Sequence, residues 1–161
     1  MQSQADTKDF WERIGKYDTC MVVTHDGTRL RARPMAPKLS DLAPGRLLFL
    51  TERPTAKTEE VEADHEVACT FSRHGEYLSL SGHARVSGDR ALVDSVWDAE
   101  AEAWLPEDRN DPKVALLVVE PEMAEIWDVK ANAVTRAYEF AKAAVGGKDR
   151  PDTTENRKIE F

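Results

Sequence analysis

The sequence predicts a mainly β domain with helices at its margins, of the α+β or all-β class. Three observations point there. Short runs rich in Val, Leu and Thr recur along the chain. Turn signals such as Asp26-Gly27 and Ala43-Pro44-Gly45 separate them. Segments with helical period fall between or outside those runs. The 161 residues are enough for one domain with a real core.

Each element has its own warrant. Thr7 to Ile14 is expected as a helix, with Phe10, Trp11 and Ile14 covering one end of the core and Gly15 as its stop. Cys20 to Thr24 reads as a strand, His25 to Thr28 as a hairpin turn, and Leu30 to Met35 as the return strand. Pro34 and Pro37 make that return an edge or a strand end. Arg46 to Thr51 is a strand with a continuous apolar centre. Ala56 to Ala63 reads as a helix with Thr55 as its N-cap. Its acidic run, Glu59, Glu60, Glu62 and Asp64, reads as a solvated face. Glu66 to Ser72 and Glu76 to Val86 are strands, the second long enough to bend through a barrel at Gly82. Asp89 to Glu102 reads as one helix, with Leu92, Val96 and Trp97 inward. A polar loop, Leu105 to Pro112, leads to a strand buried on both faces, Val114 to Val119. A further strand, Met123 to Asp128, follows Pro121. Val134, Tyr138, Ala141 and Val145 mark one face of a last helix ending at Gly146-Gly147. The domain is therefore expected over residues 1–147, with a polar, loose tail over 148–161.

Composition excludes several function classes. Hydrophobic residues make up 41% and charged residues 32%, as in a folded protein. A net charge of −8 weighs against nucleic acid as a partner. No apolar run approaches the roughly 20 residues of a membrane helix. The first residues are polar, and Cys20 and Cys69 lie far apart outside any motif, so a cytoplasmic location without membrane contact is expected. His25, His65, His74 and His83 lack ligand spacing, and no CxxC or HExxH occurs, so no metal site is expected. Both cysteines sit in strands and read as small buried hydrophobes.

The charge is uneven. Residues 29–57 hold seven cations (Arg29, Arg31, Arg33, Lys38, Arg46, Arg53, Lys57) against Asp41 and Glu52. This island of +5 in a chain otherwise carrying −13 reads on charge alone first as an ordinary solvated edge of long Arg and Lys side chains, and second as the site of a local anionic ligand such as a phosphate.

Four segments, read in order, carry a resemblance. They are Arg31-Ala32-Arg33-Pro34-Met35-Ala36; Leu48-Phe49-Leu50-Thr51 with Thr55-Ala56-Lys57; Tyr77 to Ala84; and Trp104-Leu105-Pro106 with Asp111-Pro112, Leu116 to Val119 and Ile126-Trp127-Asp128. From about Asp9 to Gly147 the chain resembles the general stress protein family of the pyridoxamine 5′-phosphate oxidase-like, FMN-binding split barrels. The resemblance implies a six-stranded, antiparallel, Greek-key-like split β-barrel with peripheral helices. It also implies a homodimer with flavin sites at the interface. Carried over to this sequence, Arg33, Pro34 and Met35 would lie against the isoalloxazine edge, and Leu50 and Thr51 near the ring. Thr55, Ala56 and Lys57 would meet the phosphate, and Trp127 the flavin or the dimer seam. Trp104 is a second candidate for that seam. FMN is the cofactor implied, with FAD as the variant.

The residues themselves suit that chemistry. Thr55 to Lys57 open a helix, whose unpaired N–H groups and positive dipole end favour an anion. Lys57 there either points to water, the commoner fate of a lysine, or has an anion beside it; Arg33 is able to reach the same place, and with the resemblance the phosphate is the favoured reading. The expected function is an FMN-binding flavoprotein with a redox role, an FMN-dependent oxidoreductase if it is an enzyme. The alternatives are a non-catalytic flavin-binding or flavin-sensing protein, or the same barrel using deazaflavin or haem. Haem would draw its axial ligand from His74 or His83. No acid or base for a defined substrate stands out. The tail lacks a recognisable substrate motif, so oxidation of vitamin B6 is not expected.

Overall fold

The structure, a computed structural model, describes residues 4–129, 133–146 and 153–161. Its backbone is one antiparallel sheet whose strands leave and return through short turns. The helix α1 (Gln4–Ile14) precedes the hairpin of β1 (Cys20–His25) and β2 (Leu30–Met35). Asp26 closes that hairpin by accepting from the backbone N–H groups of Thr28 and Arg29. Gly27 takes the positive φ of 95° that the turn needs. Then come β3 (Leu47–Glu52), α2 (Ala56–Ala63), β4 (Glu66–Arg73), β5 (Glu76–Ser87), α3 (Arg90–Val96) and α4 (Ala99–Trp104). The chain continues with β6 (Val114–Val129), α5 (Ala133–Gly146) and β7 (Thr154–Glu160).

The strand order is β2-β1-β4-β5-β6-β3, with β7 also on β6. The sheet is open, but its two ends meet at one point. Lys38, just beyond β2, exchanges backbone hydrogen bonds of 2.8 and 3.0 Å with Leu48 of β3.

Two apolar clusters hold the sheet. Phe10 and Ile14 of α1 pack with Leu47, Phe49, Leu78, Leu80, Leu117, Val119 and Ile159 on its inner face. Leu48, Leu116 and Val118 point the other way, onto Leu92, Val93 and Val96 of α3. That second cluster is why β3 and the start of β6 are apolar on both faces.

The structure corrects four expectations. Among the described residues there are seven strands rather than six. The runs expected as two strands around Pro121 are one 16-residue strand, β6. Pro121 is tolerated because it falls between the last β3 pair, Leu47 with Val119, and the first β7 pair, Met123 with Glu160. No ladder partner on that edge needs its missing N–H. The seventh strand comes from the tail expected to be loose. Residues 154–160 pair along the second half of β6 and bury Ile159. Arg157 then ties β7 to α1 through Asp6 and Asp9, at 3.2 and 2.7 Å. The helix expected over Asp89–Glu102 is two helices. Asp98 interrupts it, because its side chain caps α4 by accepting from the Ala101 N–H. The helix α5 forms as expected, yet buries none of its residues within this chain; Gly147 lies outside the described residues. Among the described residues no helix is long and apolar enough to cross a membrane.

Candidate functional site

The two end strands of the sheet, β2 and β3, deliver their C-terminal residues to one place. Between them, with α2 and α4 as further walls, lies a pocket of about 600 Å³. Arg33, Pro34 and Met35 come from the end of β2, and Leu50, Thr51 and Glu52 from the end of β3. Lys57 enters from the first turn of α2. Ala101, Trp104 and Leu105 supply an apolar wall from α4 and its exit. Lys38 and Glu100 stand at the same pocket.

Six of the nine residues expected from the sequence therefore line one cavity: Arg33, Pro34, Met35, Leu50, Thr51 and Lys57. Thr55 and Ala56 do not line it. Thr55 is occupied as N-cap of α2, where its side chain and that of Thr58 each serve the other's backbone N–H. Trp127 is not brought to the pocket of this chain. It sits far along β6, paired with Tyr77 on one side and Asn156 on the other. His74 and His83 do not line the pocket either. Among the described residues no group of three or more potential metal ligands occurs.

The electrostatics are set by a few side chains. Burial pushes the Lys57 ammonium below its usual lysine range, and the Arg33 charge pushes it further, with Glu52 opposing. Two cations thus face one half-buried space. The Glu52 carboxyl is pushed up by burial and by its neighbour Glu107. The Lys38 ammonium loses hydration, yet Asp98 and Glu100, at 2.5 and 3.3 Å, hold it above its usual value. Most of the basic island is paired in this way: Arg29 with Asp26, Arg46 with Glu120, Arg31 and Arg33 with Glu60.

Glu60 is what the sequence reading missed. Its acidic run read as a solvated face, but Glu60 is only 8% exposed. It accepts from Thr24 Oγ1, from Arg33 Nη2 at 2.9 Å and from Arg31 Nη1 at 2.9 Å. Burial alone would raise its carboxyl. The hydrogen bonds from Thr24 and Arg33, with the charges of Arg33 and Arg31, outweigh that and hold it below the usual range. The signal was in α2 itself: Val61 is its one large apolar residue, so a buried face had to include polar neighbours. Trp104 was expected at a seam, and here it stands 81% exposed at the pocket.

Comparison with known proteins adds an independent line. A family model described as pyridoxamine 5′-phosphate oxidase like matches residues 5–152. The protein bli-3 of Neurospora crassa is 26% identical over 140 residues, covering 80% of this chain and 67% of that protein. A crystal structure assigned to general stress protein 26 from Jannaschia sp. CCS1 superposes with a TM-score of 0.73 at 29% identity, covering 99% of this chain and 100% of that one. The general stress FMN/FAD binding protein of Xanthomonas citri gives 0.68 at 27% identity, over 78% of this chain and 90% of that one.

Proposed function

The chain belongs to the pyridoxamine 5′-phosphate oxidase-like family, and from that premise we propose that its pocket binds flavin mononucleotide and gives the protein a flavin-dependent redox role. One observation carries the reading. Arg33 of β2 and Lys57 of α2 bring two positive charges to a single pocket, where the Arg33 charge disfavours the Lys57 ammonium. A phosphomonoester between them turns that repulsion into two charge-assisted contacts.

The rest of the cavity suits the other end of the molecule. Its volume falls in the range of small-molecule sites, roughly 300–1,000 Å³. Met35, Leu50, Ala101, Trp104 and Leu105 offer apolar surface for a planar ring. Pro34 at the strand end removes a backbone donor, so the neighbouring backbone faces a ligand rather than another strand. Thr55 contributes indirectly, by capping the helix that carries Lys57 into the pocket. Bound there, the flavin supplies hydride or electron transfer. The apolar wall of Ala101, Trp104 and Leu105 limits water at the ring.

FAD is the variant of this reading, since a relative at 27% identity is an FMN/FAD binding protein. Oxidation of vitamin B6 is not part of it, because the C-terminal segment carries no recognisable substrate motif. The proposed assembly is a homodimer with its flavin sites at the seam. Trp104, Tyr138 and Val145 are exposed in the single chain and fit such a seam. Trp127 enters the site in this reading as a contribution to the seam.

The experiment is a titration of the purified protein with FMN, followed by the flavin spectrum, with riboflavin as the phosphate-free control. Saturable FMN binding that exceeds riboflavin binding is expected. No spectral change with either compound would remove the proposal.

A further inference from the structure

A guanidinium on an edge strand has many rotamers, and a site built on Arg33 needs one of them. The structure supplies the restraint from a neighbouring element. Arg33 Nη1 donates to Thr24 Oγ1 at 2.6 Å, and Arg33 Nη2 donates to Glu60 Oε2 at 2.9 Å. Thr24 in turn donates to the same Glu60 oxygen, closing a triangle across β1, β2 and α2. Thr24 is 1% exposed and Glu60 8%, so the anchor is dry and rigid. The other carboxylate oxygen holds Arg31, whose side chain is half exposed.

We infer that Glu60 is the positioning residue of this site, holding the Arg33 guanidinium so that its remaining N–H groups serve the pocket. The inference rests on the phosphate-binding reading of that pocket. Glu60 touches no ligand. Its carboxylate offsets one of two arginine charges, so the cluster of Arg31, Arg33 and Glu60 keeps a net +1 beside Lys57. A single acid on two bases thus fixes geometry without cancelling the attraction for a dianion. The same helix carries both functions: Lys57 faces the pocket, and Glu60 reaches back to the sheet.

The variants Glu60→Ala and Glu60→Gln separate position from charge. Gln keeps an acceptor for Arg33 and Thr24 and turns its amide toward the exposed Arg31, whereas Ala removes the anchor. With FMN and riboflavin as probes, Glu60→Ala should weaken FMN about tenfold and riboflavin less than about twofold, the size of one charge-assisted contact. Glu60→Gln should keep FMN affinity within about threefold of the wild type. Thr24→Val leaves the carboxylate in place and should give a smaller, equally phosphate-specific loss, which keeps the test decisive if Glu60→Ala folds poorly. Equal losses of FMN and riboflavin in the variants, or equal FMN losses in Ala and Gln, would overturn the assignment. Arg33 Nη–H exchange by NMR on the ligand-free protein decides the positioning independently. It should be slow in wild type and Glu60→Gln and fast in Glu60→Ala, and identical exchange in all three would refute it. If wild type fails to distinguish FMN from riboflavin, the pocket reading falls while the exchange result still stands.

Discussion

Lys38 Nζ lies 2.5 Å from Asp98 Oδ2, and this pair joins the connection after β2 to the cap of α4. Both residues act twice. The Lys38 backbone closes the sheet onto Leu48, while Asp98 caps the helix that carries Ala101 and Trp104 into the pocket wall. Only Ala101 of α4 is buried, so little else holds that helix. Lys38→Met keeps the stem and removes the charge. It should cost about 1 kcal/mol or less in urea unfolding, as a partly exposed pair does. It should also raise amide exchange across α4 more than across α3. Uniform exchange in both helices would show that the pair does not hold this wall.

Gly82 has no room for a side chain. A Cβ there would overlap the Glu120 carbonyl oxygen, where the β5–β6 register shifts. Gly82→Ala should therefore destabilise the protein by at least about 2 kcal/mol, because backbone on both sides has to move. Chemical denaturation measures it, and a cost under about 0.5 kcal/mol would mean that β5 and β6 separate freely at this point.

An irregularity at Gly82 was legible in the sequence, although it takes the form of a register shift and a close approach to β6, and the reason is local. Gly82 interrupts a ten-residue alternation from Tyr77 to Val86, and only a bend or a close approach explains a glycine there. The Asp26-Gly27 hairpin and the Thr55 cap were legible for the same reason, since a short stretch fixes its own geometry. Six pocket residues were legible because they lie in two contiguous strand ends and a helix start. What local pattern could not reveal were partnerships across the chain. The tail folds as β7 because β6 has a vacant edge beyond β3 and α1 offers Asp6 and Asp9 to Arg157. Glu60 becomes an anchor only once β2 places Arg31 and Arg33 beside α2.

Glu52 sets a pH dependence. Its carboxyl is raised in the fold by burial and by Glu107, so the folded chain binds that proton more tightly than the unfolded chain does. The corresponding stability is present below the unfolded value and is lost as pH rises through the raised one. Glu52→Gln should thus melt higher than wild type at about pH 7, with the difference shrinking toward about pH 4. Thermal unfolding across that window reads it, and a difference independent of pH would rule out Glu52 ionisation as its source.

Apolar exposure on α4 and α5 points to association. Trp104 is 81% exposed and Val145 91% exposed, and Tyr138 adds an aromatic ring at 65%. Sedimentation should give a mass of two chains, and Trp104→Ser should shift the equilibrium toward one. A wild-type monomer that still binds FMN would refute a seam-located site.

The proposed flavin site stands or falls on Arg33 and Lys57 meeting a phosphate between them. FMN and riboflavin dissociation constants for wild type and Lys57→Ala decide it. Loss of one charged phosphate contact should weaken FMN at least about tenfold while leaving riboflavin within about twofold. Equal weakening of the two compounds would mean that Lys57 does not hold the phosphate.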